Sequence, residues 1–462
     1  MSAAGRVACA DVGSTYTKVS IVDTDSGELV GTASRPTTTG TDVLHGLDEA
    51  VAAAGGDGLP LYVCSSAGGG LRLAVVGYEE LVSARAGQRV GLTAGARVVH
   101  VSAGPLDATG VAALRDARPD VVLLVGGTDG GDSEVLRHNA SRLGAARLRV
   151  PVVVAGNSDA RDAVLAALAS GKVPAVPAGN VLPRIGVLEP APARAAIREV
   201  FLRHVIGGKR LSRGPRFPGL VRGATPDLVL RAVELLADRL DADLLVVDVG
   251  GATTDVYSAR RPDAEEETGP RRPVTGVLWR DRTVEGDLGM RWSAPGVVAA
   301  AEAERLLVPG EHDVLAAEAG YRAGTPGLVV DGEAGWAVEA RLAALSATVA
   351  VRRHARPEAV SALAGAAPTS YAAGGAARDL REVRLVIGSG GVLRYAPPGV
   401  AAGIIGSVLA DHAGGWALPR EPTIAVDVDY VLAAAGLLAG EYPSAALGLV
   451  ASRLPMVKPL LR

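Results

Sequence analysis

The sequence predicts an α/β fold of two similar lobes around a ligand cleft, with a further α/β module inserted in the first lobe. Three observations predict it. The chain opens on a meander of three strands joined by tight turns. A second meander with a matching first turn recurs 237 residues later. Between them, residues 61–179 alternate short apolar strands with helical stretches, the pattern of a parallel sheet buried on both faces.

The elements follow in order. Residues 7–12 read as the first strand, and 17–23 alternate apolar and polar positions. Asp25-Ser26-Gly27 marks a turn, and 28–34 continue as the third strand. A meander argues against a dinucleotide-binding opening, where a helix follows the first strand. Residues 61–64, 98–101, 121–125 and 152–155 read as strands of the inserted module. The Pro-, Gly- and Arg-rich stretch 207–223 reads as a linker. Thr225-Pro226-Asp227 reads as a helix start, with proline at the first helical position. The second meander takes 244–249, 254–259 and 274–279, with the charged stretch 260–272 as an exposed loop. The C-terminal third reads as helices around one more strand, 383–387. The chain then divides into a first lobe (1–60 and 180–235), the inserted module (61–179), a second lobe (236–440) and a tail (441–462).

Composition narrows the function classes. The 462 residues suffice for several domains, and 48% are apolar and 21% charged, as in an ordinary globular chain. A net charge of −3 gives no basic field for nucleic acid or a membrane surface. No apolar run reaches the roughly 18–20 residues that span a bilayer; the nearest is 400–410. Cys9 and Cys64 are too few for a disulfide framework or a four-cysteine zinc site. No signal-peptide core precedes the first strand. A reduced, cytoplasmic protein is the expectation.

The repeat carries the chemistry. Asp11-Val-Gly-Ser-Thr-Tyr-Thr-Lys-Val-Ser lies over Asp248-Val-Gly-Gly-Ala-Thr-Thr-Asp-Val-Tyr with five of ten positions identical. Each copy joins the first strand of a meander to the second, so two turns of one design belong to two lobes. Gly13, Gly250 and Gly251 let the backbone come close to a phosphate with its N–H groups inward. Ser14, Thr15 and Thr253 offer hydroxyls. Lys18 either adds a charge or, by strand alternation, points away. Asp11 and Asp248 stand at strand ends, where paired carboxylates hold Mg²⁺ through its waters and one of them orients an attacking water. Asp255 either anchors the second turn or is a solvated carboxylate. A third element, Gly388-Ser389-Gly390-Gly391 after a strand, offers a small-residue turn for a flat adenine and ribose.

These three elements, in this order, resemble the phosphate-1, phosphate-2 and adenosine motifs of the superfamily of actin, Hsp70-type chaperones and sugar kinases. The resemblance implies an actin-like ATPase fold, two ribonuclease H-like lobes with ATP and Mg²⁺ between them. It assigns Asp11, Gly13, Ser14 and Thr15 to phosphate-1. Asp248, Gly250, Gly251, Thr253 and Asp255 fall to phosphate-2, and residues 388–391 to the adenosine turn. A narrower resemblance covers most of the chain. Cys64-Ser-Ser-Ala-Gly-Gly-Gly-Leu-Arg, Leu124-Val-Gly-Gly-Thr-Asp-Gly-Gly-Asp, Gly179-Asn-Val-Leu-Pro and Arg282-Thr-Val-Glu-Gly-Asp-Leu-Gly-Met-Arg are similar to the glutamate (methylaspartate) mutase accessory proteins of the MutL type. That family is distinct from the DNA mismatch-repair proteins of the same name. The resemblance implies an ATP-dependent chaperone or reactivase for an adenosylcobalamin-dependent carbon-skeleton mutase, with the mutase subunits as partners. A small-molecule kinase and an actin-like structural ATPase are the alternatives. No second aspartate placed as base for a substrate hydroxyl stands out, which disfavours the kinase.

Other segments stay open. Residues 126–132 and 65–70 are either ligand loops at strand ends or tight strand-to-helix connections. Residues 285–291 either reach the cleft or cap a following helix. Arg352-Arg353-His354-Ala-Arg356 reads as a solvated helix face or a site for an acidic partner. His100, His138, His204 and His354 show no ligand spacing.

Overall fold

The computed structural model describes residues 5–208, 211–264, 266, 269, 273, 275–356, 378–412, 416–457 and 459. β1 (Arg6–Val12), β2 (Tyr16–Asp23) and β3 (Leu29–Pro36) form the opening meander, and β4 (Leu61–Ser65) runs parallel to β1 on its other side. The chain then leaves for the module, an all-parallel sheet of β5 (Leu71–Gly77), β6 (Ala96–Ala103), β7 (Val121–Leu124), β8 (Val152–Val154) and β9 (Ala175–Pro177). Its strand order is β6-β5-β7-β8-β9. β10 (Val221–Ala224) brings the chain back beside β4, completing the order β10-β4-β1-β2-β3. The last sheet repeats that plan. β11 (Asp243–Val249), β12 (Thr254–Ala259) and β13 (Arg280–Glu285) form a meander. β14 (Val383–Ser389) and β15 (Thr423–Val426) follow in parallel, giving β13-β12-β11-β14-β15. The two lobe sheets share one topology, strand for strand. This is the expected actin-like architecture.

Several expectations are corrected. Residues 61–64 belong to the first lobe's sheet and not to the module, because β4 pairs with β1. The module's first strand is instead β5, where the sequence analysis placed no strand. The stretch 207–223, read as a linker, contains the short helix Arg216–Leu220 and most of β10. The third strand of the second meander is Arg280–Glu285, not 274–279; residue 274 lies outside the described residues, as does part of the loop 260–272. A second strand, β15, accompanies β14 in the C-terminal third. The tail holds the helix Pro443–Arg453, which packs on the first meander where Gly448 abuts Ser26 and Gly27. The basic run 352–356 is not a solvated face. Arg352 pairs with Asp411 and Glu304, Arg353 with Glu285 and Asp287, Arg356 with Glu304, and His354 is buried against Ser258 and Thr283. One helix, Gly332–Ala355, is long and apolar enough to cross a membrane by length and composition. In the structure 61% of its apolar window is buried, and its residues fill the second lobe's core beside Val247 and Val386.

Strand alternation decides which way the key residues face. In β1, Ala8, Ala10 and Val12 enter a core shared with the module. Val7 and Cys9 enter a different core, shared with the second lobe. Side chains two apart share a face, so Asp11 continues the Val7–Cys9 face. β2 gives the same result for Lys18, two and four residues from Ser20 and Val22, with Val22 in the shared core. In the second lobe, Leu244 and Val246 of β11 lie in the shared core, which puts Asp248 on that face. Tyr257 and Ala259 do so for Asp255, and Leu385 and Ile387 for Ser389. The helices Thr225–Leu240 and Val431–Leu438 fill the shared core between the sheets. Two sheets of one plan thus turn their carboxylate-tipped strand ends toward each other.

Candidate functional site

The two turns have the same geometry. Gly13 N–H donates to the Tyr16 carbonyl at 3.1 Å, and Gly250 N–H to the Thr253 carbonyl at 2.9 Å. A Cβ at either glycine would lie 2.8 Å from that carbonyl oxygen, so both positions exclude any side chain. Ser14, Thr15 and Gly251 are exposed at the turn tips, and Ser14 Oγ donates to the Ser66 carbonyl at 3.2 Å. The loop 65–70 is therefore part of the same neighbourhood. Its Ser66 and Ala67 amides donate to the Val12 carbonyl, holding the end of β1.

Asp11 is held from two sides. Thr225 Oγ1, at the start of the helix Thr225–Leu240, donates to Asp11 Oδ1 at 2.6 Å, and the Cys64 thiol donates to the same oxygen at 3.6 Å. Lys18, opposite Asp11 in the β1–β2 register, brings Nζ to 3.8 Å from Asp11 Oδ2. It does not point away. The same ammonium lies 3.7 Å from the ring centroid of Tyr430, a second-lobe residue just before the helix Val431–Leu438. Lys18 thereby bridges the two walls of the cleft.

Asp248 faces it from the second lobe. Burial, then the negative charge of Asp255, Asp11 and Asp427, pushes its carboxyl up to about 7, while Lys18 pulls the other way. Asp11 and Lys18 thus act electrostatically on Asp248 although 237 residues separate the two aspartates. Asp427 is buried and is pushed up to about 6, chiefly by desolvation. It caps the helix Val431–Leu438 by accepting from the Val431 and Leu432 amides at 2.8 and 3.1 Å. Asp255, opposite Asp248 in the β11–β12 register, is no solvated carboxylate. It accepts from Thr253 Oγ1 at 3.0 Å and from Arg282 Nε at 2.9 Å.

The Gly388–Gly391 turn adjoins this pair. Ser389 is in register with Asp248. Gly390 has φ +104°, and a Cβ there would sit 2.2 Å from the Val249 carbonyl oxygen. Only glycine lets this turn lie on β11. Gly391 faces the Tyr430 hydroxyl, and Arg394 stacks on the Tyr430 ring at 4.7 Å. Residues 285–291 reach the second turn from behind. The Met290 and Arg291 amides donate to the Gly250 and Gly251 carbonyls at 2.9 and 2.8 Å, and Ser293 Oγ donates to the Ala252 carbonyl.

The structure thus brings together Asp11, Gly13, Ser14, Thr15 and Lys18 of one lobe with Asp248, Gly250, Gly251, Thr253, Asp255 and residues 388–391 of the other. The loop 126–132 belongs to the module instead. It is tied down by Asn180, which donates to the Gly127 carbonyl and to Asp129, and by Asn157, which donates to the Gly131 carbonyl. Sequence reasoning missed Thr225, Cys64, Tyr430, Asp427 and Arg282 as parts of the site. Thr225 had a signal, the helix start, but that signal gives no hint of the strand end it meets. No group of three or more His, Cys, Asp or Glu side chains suited to a metal ion occurs among the described residues.

Comparison with known proteins places the chain. The model of the family described as "MutL protein" matches residues 7–454. Protein MutL of Clostridium tetanomorphum is 34% identical over 477 aligned positions, covering 97% of this chain and 98% of the relative. Among solved structures, nucleotide-free acetone carboxylase overlaps 94% of this chain and 70% of its own at 14% identity, with a TM-score of 0.38. A ROK family glucokinase from Streptomyces griseus, in complex with glucose and AMPPNP, overlaps 93% of this chain and 98% of its own at 14% identity, with a TM-score of 0.31. Superpositions this loose carry no weight for ligand or activity. Sequence likeness along nearly the whole chain does: this protein belongs to the MutL family associated with glutamate mutase, not to the DNA-repair family that shares the name.

Proposed function

We propose that this protein binds ATP between its lobes, hydrolyses it slowly, and uses the change of state to reactivate an adenosylcobalamin-dependent carbon-skeleton mutase of the glutamate mutase type. The observation that carries the nucleotide half is the pair of matching glycine turns with Asp11 and Asp248 on facing walls. Both turns have a glycine where no side chain fits, and Ser14, Thr15 and Gly251 are exposed at their tips. The helix Thr225–Leu240 begins beside Asp11 with no side-chain cap, and such a helix start favours anions through its free N–H groups and dipole. Lys18 adds a cation. Gly390 and Gly391 leave a flat bed for adenine and ribose.

Asp255, Asp11 and Asp427 set negative charge against Asp248, and Lys18 opposes it. That imbalance fits Mg²⁺ entering with the triphosphate, held by Asp11 and Asp248 through water, since Mg²⁺ needs only one or two carboxylates beside substrate phosphates. The ion would neutralise charge on the phosphoryl group. The chain's own residues do the rest. The turns fix the phosphates, Asp248 orients water and takes its proton, and Thr225 and Cys64 keep Asp11 in place. Phosphoryl transfer is mostly such positioning.

The client half rests on family membership. Radical mutases lose the adenosyl group and then retain damaged cobalamin, so release requires the mutase to be opened. A nucleotide cycle drives that opening when the ATP and ADP states differ in affinity for the mutase.

ATP turnover without any acceptor, measured with and without mutase subunits, tests the reading. Slow basal hydrolysis that rises with the mutase is expected. Hydrolysis that requires a hydroxyl acceptor and yields its phosphate ester would replace it with a kinase. Nucleotide-dependent pelleting would replace it with a filament. ATP is also expected to raise Tm, by about 2.7 kcal/mol of added stability at a hundred times Kd; an unmoved Tm at saturating ATP argues against a site in the folded state.

A further inference from the structure

We infer that Arg282 is a positioning residue through which the inserted module sets the turnover of the cleft, an inference that rests on the nucleotide reading of that cleft. The guanidinium is buried, 3% exposed, between the second lobe and the module. On one side Nε and Nη2 both donate to Asp255 Oδ1. On the other, Nη1 donates to the Leu92 carbonyl at 3.0 Å and the Ala96 carbonyl at 3.2 Å. Those carbonyls flank the turn between the helix Arg85–Thr93 and β6. From Asp255 the chain of contacts continues to Thr253 Oγ1 and, through the Thr253 carbonyl, to Gly250 N–H. Three links therefore join a module turn to the second phosphate turn.

The same module turn touches the other wall. Gly95 has φ +80°, and a Cβ there would lie 2.9 Å from the Asp227 amide nitrogen, in the first turn of the helix Thr225–Leu240. Two residues earlier, Thr225 donates to Asp11. Residues 92–96 thus stand where both halves of the site are held, through Arg282 on one lobe and through the start of that helix on the other. A second grip keeps the module on the second lobe: Arg89 Nη1 donates to the Gly276 carbonyl at 3.0 Å and lies 3.6 Å from Asp281. A displacement of the module, by a partner or by cleft closure, moves Thr253 and Thr225 together. An arginine suits this place because its planar fork serves a carboxylate and two carbonyls at once, which a lysine head cannot.

The experiment compares wild type with Arg282→Lys and Thr225→Val, reading turnover, equilibrium ATP affinity and hydrogen exchange. Arg282→Lys keeps a cation beside Asp255 but loses the span. Its turnover is expected to fall by about tenfold while ATP affinity stays within about threefold, the signature of lost positioning rather than lost binding. ATP is expected to slow exchange at amides 93–97 in wild type. In Arg282→Lys that slowing is lost, while slowing at 13–16 and 250–253 remains. Thr225→Val removes only a hydroxyl and gives the same split from the first lobe, so the inference stays open to test if Arg282→Lys fails to fold. Wild-type turnover in Arg282→Lys, or retained slowing at 93–97, overturns the inference and leaves the nucleotide reading standing. No ATP binding by wild type overturns both.

Discussion

Asp248→Asn is expected to lower ATP turnover by about a hundredfold and, at the same time, to raise the thermal stability of the nucleotide-free protein at pH 8. The first effect follows from removing one preorganised group at the reacting centre, a loss typically of about 10²–10³ in rate. The second follows from the site's charge. Burial and three neighbouring carboxylates push Asp248 up to about 7 in the folded protein, against about 3.9 in an unfolded chain. The folded state therefore binds the proton more tightly. Stability from this group is present below the unfolded value and is lost as pH rises toward 7. Each pH unit in that window is worth at most about 1.4 kcal/mol, and less here, because Asp248 is only half-buried and cleft water screens it. Asparagine has the same shape and no charge, so it escapes the penalty. Asp427, pushed up to about 6, is present in both proteins and largely cancels from their difference. Melting curves in chelator at pH 8 and pH 4.5 check the sign: the variant's advantage should be largest at pH 8 and shrink toward zero in acid. An advantage that grows in acid would mean that Asp248 is held ionised by partners instead of exposed to repulsion. Stability and activity pull in opposite directions at this residue, as expected where binding a cation and a triphosphate is what relieves the charge.

The site was legible where chemistry and periodicity coincide. Asp11 and Asp248 carry the same following residues and end strands whose alternation is plain, so the sequence alone pairs them. The facing of Lys18 was also recoverable in principle, since Val22 and Lys18 share a parity with Val7 and Asp11 across an antiparallel pair. Arg280–Glu285 was illegible for a physical reason. Its sequence, Arg-Asp-Arg-Thr-Val-Glu, reads as a loop because charged residues are usually solvated. Asp281 and Arg282 are buried there only because Arg378, Arg89 and Asp255, distant in sequence, pair with them. The apolar residues just before it attracted the strand assignment instead. Leu61–Ser65 was recognisable as a parallel strand, but nothing local says which sheet it joins; its register with β1 is a long-range fact. Tyr430 was invisible because its role comes from backbone. It adopts φ +55°, a left-handed conformation uncommon for a large side chain, and this places its ring beneath Lys18.

Gly436→Ala is expected to cause the largest loss of stability of any single methyl addition in the shared core, and to weaken nucleotide binding with it. Gly436 lies in the helix Val431–Leu438, and a Cβ there would sit 1.9 Å from the Leu228 carbonyl oxygen and 2.5 Å from its carbonyl carbon, in the helix Thr225–Leu240. The obstacle is backbone, so no side chain can rotate away and the helices must separate. Overpacking of this kind costs about 1–3 kcal/mol and occasionally more, against the roughly 1 kcal/mol that alanine regains over glycine within a helix. Because the obstacle is backbone, the upper end of that range applies, and a net loss of about 2 kcal/mol is the expected result in chemical denaturation. Gly403→Ala is the control. It lies in the helix Val400–Leu409 with nothing within 4 Å of the added carbon, and should be neutral or stabilising. The functional consequence follows from what the two helices carry at their starts: Thr225 on Asp11, and Asp427 with Tyr430 on the opposite wall. Prising the helices apart should loosen the Lys18–Tyr430 bridge and lower ATP affinity even in the folded fraction. A Gly436→Ala protein as stable as wild type, with unchanged ATP affinity, would mean that the spacing of the lobes is set elsewhere than at this helix crossing.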